Sequence, residues 1–136
     1  MTKPVILCVD DEVVILKSLK RQLKQAFRDR YLYESAESAD EAIEILQELQ
    51  EDGIDILVIV SDWLMPGMKG DEFLIKIHQE YPDVVKVMLT GQADEDAIEK
   101  AKEEAKLHQC LAKPWSSYEL VDCIKSGLQE IGMVQE

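Results

Sequence analysis

Apolar positions along the chain follow two alternating rhythms. Five short runs occupy Val5 to Val9, Tyr31 to Ala36, Ile56 to Val60, Val85 to Leu89 and Cys110 to Ala112. Those rich in Val, Ile and Leu read as parallel strands buried on both faces. Each run is followed by a segment with helical spacing. The first places Ile15, Leu16, Leu19, Leu23 and Phe27 on one stripe, and the second Ala39, Ala42, Ile43, Leu46 and Leu49. The third runs from about Asp71 to Tyr81 and is stopped by Pro82. The fourth runs from Asp94 to about Lys106 with Ala97, Ile98, Ala101 and Ala105 inward, and the fifth carries Leu120, Val121, Ile124, Leu128 and Ile131 on one face. Ser38 with Glu41, and Ser116 with Glu119, have capping-box spacing and mark the starts of helices two and five, while Gly53 ends helix two.

No linker, repeat or low-complexity tract interrupts this alternation. It predicts one α/β domain, a doubly wound (βα)5 unit with a core from about residue 4 to 131 and the start of a linker after it. Right-handed crossovers favour the parallel strand order 2-1-3-4-5, with ligands outside the carboxyl edge where strands one and three meet.

Composition narrows the function classes. The 136 residues, 46% of them hydrophobic, suffice for one full core. No apolar stretch approaches a bilayer span, and MTKPVILCVDDE meets acids too early for a secretory signal, so a cytoplasmic protein with no membrane partner is expected. Cys8, Cys110 and Cys123 have no metal-type spacing and read as reduced thiols. The 28 acids against 15 bases, net charge −13, oppose direct binding to nucleic acid and favour a divalent cation or a basic partner surface.

The loops after strands one, three, four and five carry Asp10-Asp11-Glu12, Asp62, Thr90-Gly91 and Lys113-Pro114. In the 2-1-3-4-5 order these groups surround Asp62. Taken singly, each has a plainer role: Asp10 or Asp11 as cap of the first helix, Asp62 as a turn residue, Thr90 as a strand end, Lys113 as a solvated charge. Taken together they form a constellation. Three carboxylates at close range repel one another unless a cation neutralises them. An oxygen-only donor set without His or Cys points to Mg²⁺. Lys113 and the Thr90 hydroxyl then supply a charge and a donor suited to a transferring phosphoryl group, with Asp62 as nucleophile.

VDDE, SDWLMPGMKGDEF, MLTG and LAKPW, in this order, resemble the receiver domain of two-component response regulators, a flavodoxin-like fold, over Val5 to about Ile131. The resemblance implies a signalling domain rather than a classical enzyme. It implies that Asp62 takes a phosphoryl group from a sensor histidine kinase or phosphotransfer protein, with the receiver catalysing the transfer. Asp11 and Asp62 match direct Mg²⁺ ligands, Asp10 an acid acting through water, and Leu64 the position that lends a backbone carbonyl. Thr90 and Lys113 match the hydroxyl and amine that meet the phosphoryl oxygens, and backbone N–H groups of Trp63 and Gly91 complete the cradle. The Lys113-Pro114 bond is expected to be cis. The implied output is a switch of the surface formed by helix four, strand five and helix five, read by a downstream protein, a fused output domain or a phosphorylation-dependent dimer.

Cys110 stands where the family usually has Tyr or Phe, so coupling of Thr90 to an inward-swinging ring is not expected in its usual form; His108 is a candidate substitute, against the more common reading of a lone exposed His at a helix-strand junction with no such role. Leu64 and Gln92 flank the site and offer no extra base for water, which predicts an acyl phosphate that outlasts the fastest chemotaxis-type examples. Two other readings compete. A haloacid-dehalogenase-type phosphatase needs an Asp-x-Asp element and room for a cap, against the adjacent Asp10-Asp11 and 136 residues here. A docking module with no acceptor chemistry would typically lack one of the acids or the lysine.

Overall fold

A computed structural model describes residues 3–91 and 95–132. Five parallel strands, β1 (Val5–Val9), β2 (Leu32–Ala36), β3 (Ile56–Asp62), β4 (Val85–Thr90) and β5 (Gln109–Ala112), form one sheet in the order β2-β1-β3-β4-β5. The helices are α1 (Val13–Phe27), α2 (Ala39–Glu51), α3 (Gly70–Glu80), α4 (Glu95–Glu104) and α5 (Ser117–Glu130). This is the doubly wound (βα)5 architecture read from the sequence.

The period-2 alternation of a strand divides the core in two. Val5, Leu7 and Val9 face one cluster with Ala42 and Leu46 of α2, Phe73 and Leu74 of α3, and Ala101 of α4. Ile6 and Cys8 face the other, with Leu19 and Leu23 of α1 and Leu120 and Ile124 of α5. Every residue of β1 is buried because strands flank it and helices cover both faces. Each fully buried Leu or Ile here contributes about 2 kcal/mol. No helix among the described residues is long and apolar enough to cross a membrane.

Helix ends follow local chemistry. Ser116 and Glu119 form the full reciprocal capping box. Ser38 accepts from the Glu41 N–H at 3.1 Å, but the Glu41 carboxylate accepts from the Glu37 N–H at 3.3 Å instead of closing the box on Ser38. Gly53, at φ +71°, ends α2 as expected, with Ile54 N–H on the Leu49 carbonyl at 2.8 Å and Gly53 N–H on the Gln50 carbonyl at 3.1 Å.

Several boundaries differ from the sequence reading. β3 continues through Ser61 and Asp62, which pair with Met88 and Leu89, because a strand between two partners keeps its backbone bonds whatever its side chains are. β5 starts one residue early, at Gln109. α4 ends at Glu104, short of the expected Lys106, which lies at φ 51° and turns the chain so that the Leu107 N–H reaches the Ala101 carbonyl at 3.2 Å. Gln92 and Asp94 lie outside the described residues.

Candidate functional site at the carboxyl edge of the sheet

The strands β1, β3, β4 and β5 deliver their final residues to one edge, and the expected constellation assembles there. Carboxylate oxygens of Asp10, Asp11 and Asp62 lie within 4.8 Å of one another. Asp10 and Asp62 are buried and Asp11 is exposed. Lys113, just past β5, places Nζ at 2.8 Å from Asp62 Oδ1 and 3.3 Å from Asp10 Oδ2. Lys113-Pro114 is cis, as expected.

Asp10 does not cap α1. The cap position belongs to Glu12, and Asp10 Oδ1 accepts the Glu12 N–H at 2.8 Å, which closes a local turn before the helix begins. That turn leaves Oδ2 aimed at Lys113. Thr90 ends β4 and is buried, and its carbonyl accepts the Lys113 N–H at 2.9 Å, tying the two loops together. Leu64 sits two residues past Asp62 with its side chain half exposed. The Trp63 N–H, expected in the cradle, donates to the Leu89 carbonyl at 2.9 Å and also acts on the Asp62 carboxylate, lowering its pKa.

Other contacts that shape the site could not be read from the sequence. Trp63 donates its indole N–H to buried Asp71 at 3.1 Å, and Lys69 lies over its ring at 5.4 Å from the centroid. The Gly70 N–H closes the loop on the Trp63 carbonyl at 2.7 Å. A β-carbon at Gly70 would fall on the Asp62 carbonyl, so only glycine fits where the loop folds back on this strand end. The only sequence signal for this was the glycine itself.

One ammonium among three carboxylates leaves excess negative charge. Burial raises the pKa of Asp62, the Lys113 hydrogen bond and charge oppose the shift, and Asp11 adds to it. Burial also raises that of Asp10, against the Glu12 N–H and Lys113, with Asp62 adding repulsion. For Lys113, burial disfavours the ammonium, but the hydrogen bond to Asp62 and the two carboxylate charges outweigh it and raise its pKa. The donor set is oxygen only, clustered and short of positive charge, which fits a hard divalent cation such as Mg²⁺.

The comparisons agree with this geometry. The family model for the response regulator receiver domain matches residues 6–125. The chain belongs to the receiver domain family. Among curated relatives, the receiver is 32% identical to the hydrogenase transcriptional regulatory protein HoxA of Cupriavidus necator over 94% of this chain but only 25% of that protein. It therefore spans about a quarter of that relative's length. It is 29% identical to the chemotaxis protein CheY of Pseudomonas aeruginosa, covering 93% of this chain and 97% of that one. Among solved structures, the signal receiver domain of an HD domain-containing protein from Pseudomonas fluorescens Pf-5 superposes with a TM-score of 0.83 at 31% identity, covering 95% of this receiver and 97% of that chain. Receivers are signalling domains, and membership removes the dehalogenase-type reading.

Proposed function

We propose that Asp62 accepts a phosphoryl group from a phosphohistidine on a sensor histidine kinase or phosphotransfer protein in the cytoplasm. The observation that carries this reading is the Lys113 amine bridging Asp62 at 2.8 Å and Asp10 at 3.3 Å inside a cluster of three carboxylates. An Asp62 carboxylate oxygen attacks phosphorus as the P–N bond breaks. The imidazole nitrogen keeps the bonding pair and takes a proton from solvent, and Asp62 becomes an acyl phosphate. Lys113 exchanges its carboxylate contact for a phosphoryl oxygen, and the Thr90 hydroxyl donates to another. Asp10, Asp11, Asp62 and the Leu64 carbonyl would hold Mg²⁺, which supplies charge neutralisation for the transferring oxygens.

The chain acts on this reading as a single receiver domain whose output is the α4-β5-α5 surface, presented to a downstream protein, a fused output domain or a second receiver. Cys110, half-buried on the face that packs α3 and α4, offers no ring to swing. Readout on this reading therefore does without the usual inward-swinging ring.

Intact mass after incubation with acetyl phosphate and Mg²⁺ tests the proposal. One added phosphoryl group is expected, absent in Asp62→Asn and in EDTA, and surviving well beyond seconds after the donor is removed. A folded protein that takes no adduct and shows no response to beryllofluoride would instead be a docking module without acceptor chemistry.

A further inference from the structure

Charge is segregated at the β2 edge of the sheet. α1 carries Lys17, Lys20, Arg21 and Lys24, with Arg28 directly after it and no carboxylate between Val13 and Arg28. The i, i+3, i+4, i+7 spacing of Lys17, Lys20, Arg21 and Lys24 puts these four on one stripe, and Arg28, at φ 54°, follows the helix end. The opposite flank of α1 faces α5, where Gln22 accepts the Trp115 indole N–H at 2.8 Å. The cationic stripe is thus on the flank toward β2, the open edge strand.

α2 is the reverse. It carries Asp40, Glu41, Glu44, Glu48 and Glu51 and no Lys or Arg. It borders the same edge from the other face of the sheet, since α1 packs in one core cluster and α2 in the other. Among the described residues none of these cations or carboxylates is in a salt bridge; those present involve His108 and Lys113.

We propose that this edge binds a second copy of the chain, with α1 of each copy against α2 of the other. The symmetry decides the pairing. A two-fold axis perpendicular to the sheet would bring α1 to α1 and α2 to α2, setting like charges together. An axis in the plane of the sheet exchanges its faces and aligns α1 with α2 on both sides at once, a closed and self-complementary arrangement. Nucleic acid would meet the carboxylates of α2 across the same edge and a chain of net charge −13. β5 lies at the far edge of the sheet, so this contact leaves the α4-β5-α5 surface and the Asp62 site open and needs no phosphoryl group.

Salt titration alone is a poor test, because added salt weakens both the local attraction and the general repulsion between two acidic chains. Charge exchange is decisive. Sedimentation at about 0.15 M salt should show wild type as a dimer. Lys17→Glu with Lys24→Glu, and separately Glu44→Lys with Glu48→Lys, should each self-associate at least about tenfold more weakly. All four positions are exposed, and circular dichroism like that of wild type confirms that each variant is folded. An equimolar mixture of the two variants restores opposite charges at both contacts and should sediment as a dimer. A monomeric wild type, a mixture that stays monomeric, or assembly beyond two copies would overturn the proposal.

Discussion

The two ends of the sheet treat buried charge in opposite ways. At the amino end, Lys86 is only 1% exposed, yet its ammonium donates to the Val84 carbonyl at 2.8 Å and the Pro82 carbonyl at 3.5 Å. Nearby, His108 engages Glu130 at 3.2 Å through Nδ1 and Ser126 at 2.8 Å through Nε2. At the carboxyl end, three carboxylates cluster around one ammonium that pairs with Asp62 and Asp10, and among the described residues no salt bridge reaches Asp11. The amino end gives Lys86 and His108 hydrogen-bond partners within the chain, although burial still penalises the Lys86 ammonium. The carboxyl end keeps an imbalance that a bound divalent cation would correct, as the proposed function requires.

Paired glycine substitutions should separate the two ends most strongly. A β-carbon at Gly70 meets only backbone, with Asp62 C and Trp63 Cα each at 2.9 Å besides the Asp62 carbonyl. Gly70→Ala should therefore cost about 3 kcal/mol in urea unfolding and slow phosphorylation by about a hundredfold, because the acceptor strand end must move. At Gly127 the neighbours are side chains, Val85 Cγ1 at 2.5 Å and His108 Cδ2 at 3.1 Å. Gly127→Ala should cost about 2 kcal/mol and leave the phosphorylation rate unchanged. Equal effects of the two on phosphorylation would erase the distinction between the ends.

Sequence legibility divides along the same line. The strand order, both cores and the meeting of Asp10, Asp11, Asp62 and Lys113 follow from apolar periodicity and crossover handedness, which a sequence displays directly. Contacts between polar groups of unrelated spacing do not show that way. The Asp71 hold on Trp63, the turn that takes Asp10 away from helix capping, and the closure of Gly70 on Asp62 depend on side-chain direction inside a loop. The Ser116 box was readable because it is local. Its counterpart at Ser38 was half readable, because the Glu41 carboxylate had a competing N–H one residue away. The segregation of bases to α1 and acids to α2 was present in the sequence, but only the fold shows that both border one edge.

A smaller effect isolates the amino end. Burial lowers the Lys86 pKa to about 8, while an unfolded lysine titrates near about 10.4. Between these values the unfolded chain holds a proton that the fold has released, so Lys86 makes stability rise with pH across that window; below it the burial penalty is present in full. Buried Cys8 and Cys123, each raised to about 12 by burial, act in the opposite direction in alkali, so wild type alone would mislead. The difference between wild type and Lys86→Met cancels the thiols. It should move in favour of wild type by about 1.5 kcal/mol between pH 8 and about 9.5 in urea unfolding. A flat difference would mean that the carbonyl contacts fully compensate burial.

The smallest expected effect tests the carboxyl end most directly. Burial and the neighbouring Asp11 raise the Asp62 pKa despite Lys113, so the fold holds that proton more tightly than the unfolded chain does. Stability then declines as pH rises through the folded value, and the deficit persists at neutral pH, where the carboxylate is ionised. Asp62→Asn removes the charge and keeps an oxygen for Lys113. In metal-free buffer at pH 7 it should unfold at a higher urea concentration than wild type, even though it takes up no phosphoryl group. Adding Mg²⁺ should stabilise wild type by binding the folded state and stabilise the variant much less, narrowing or reversing the gap. If Asp62→Asn is the less stable protein without metal, the Lys113 pair outweighs the repulsion, and the carboxyl edge is balanced without a ligand.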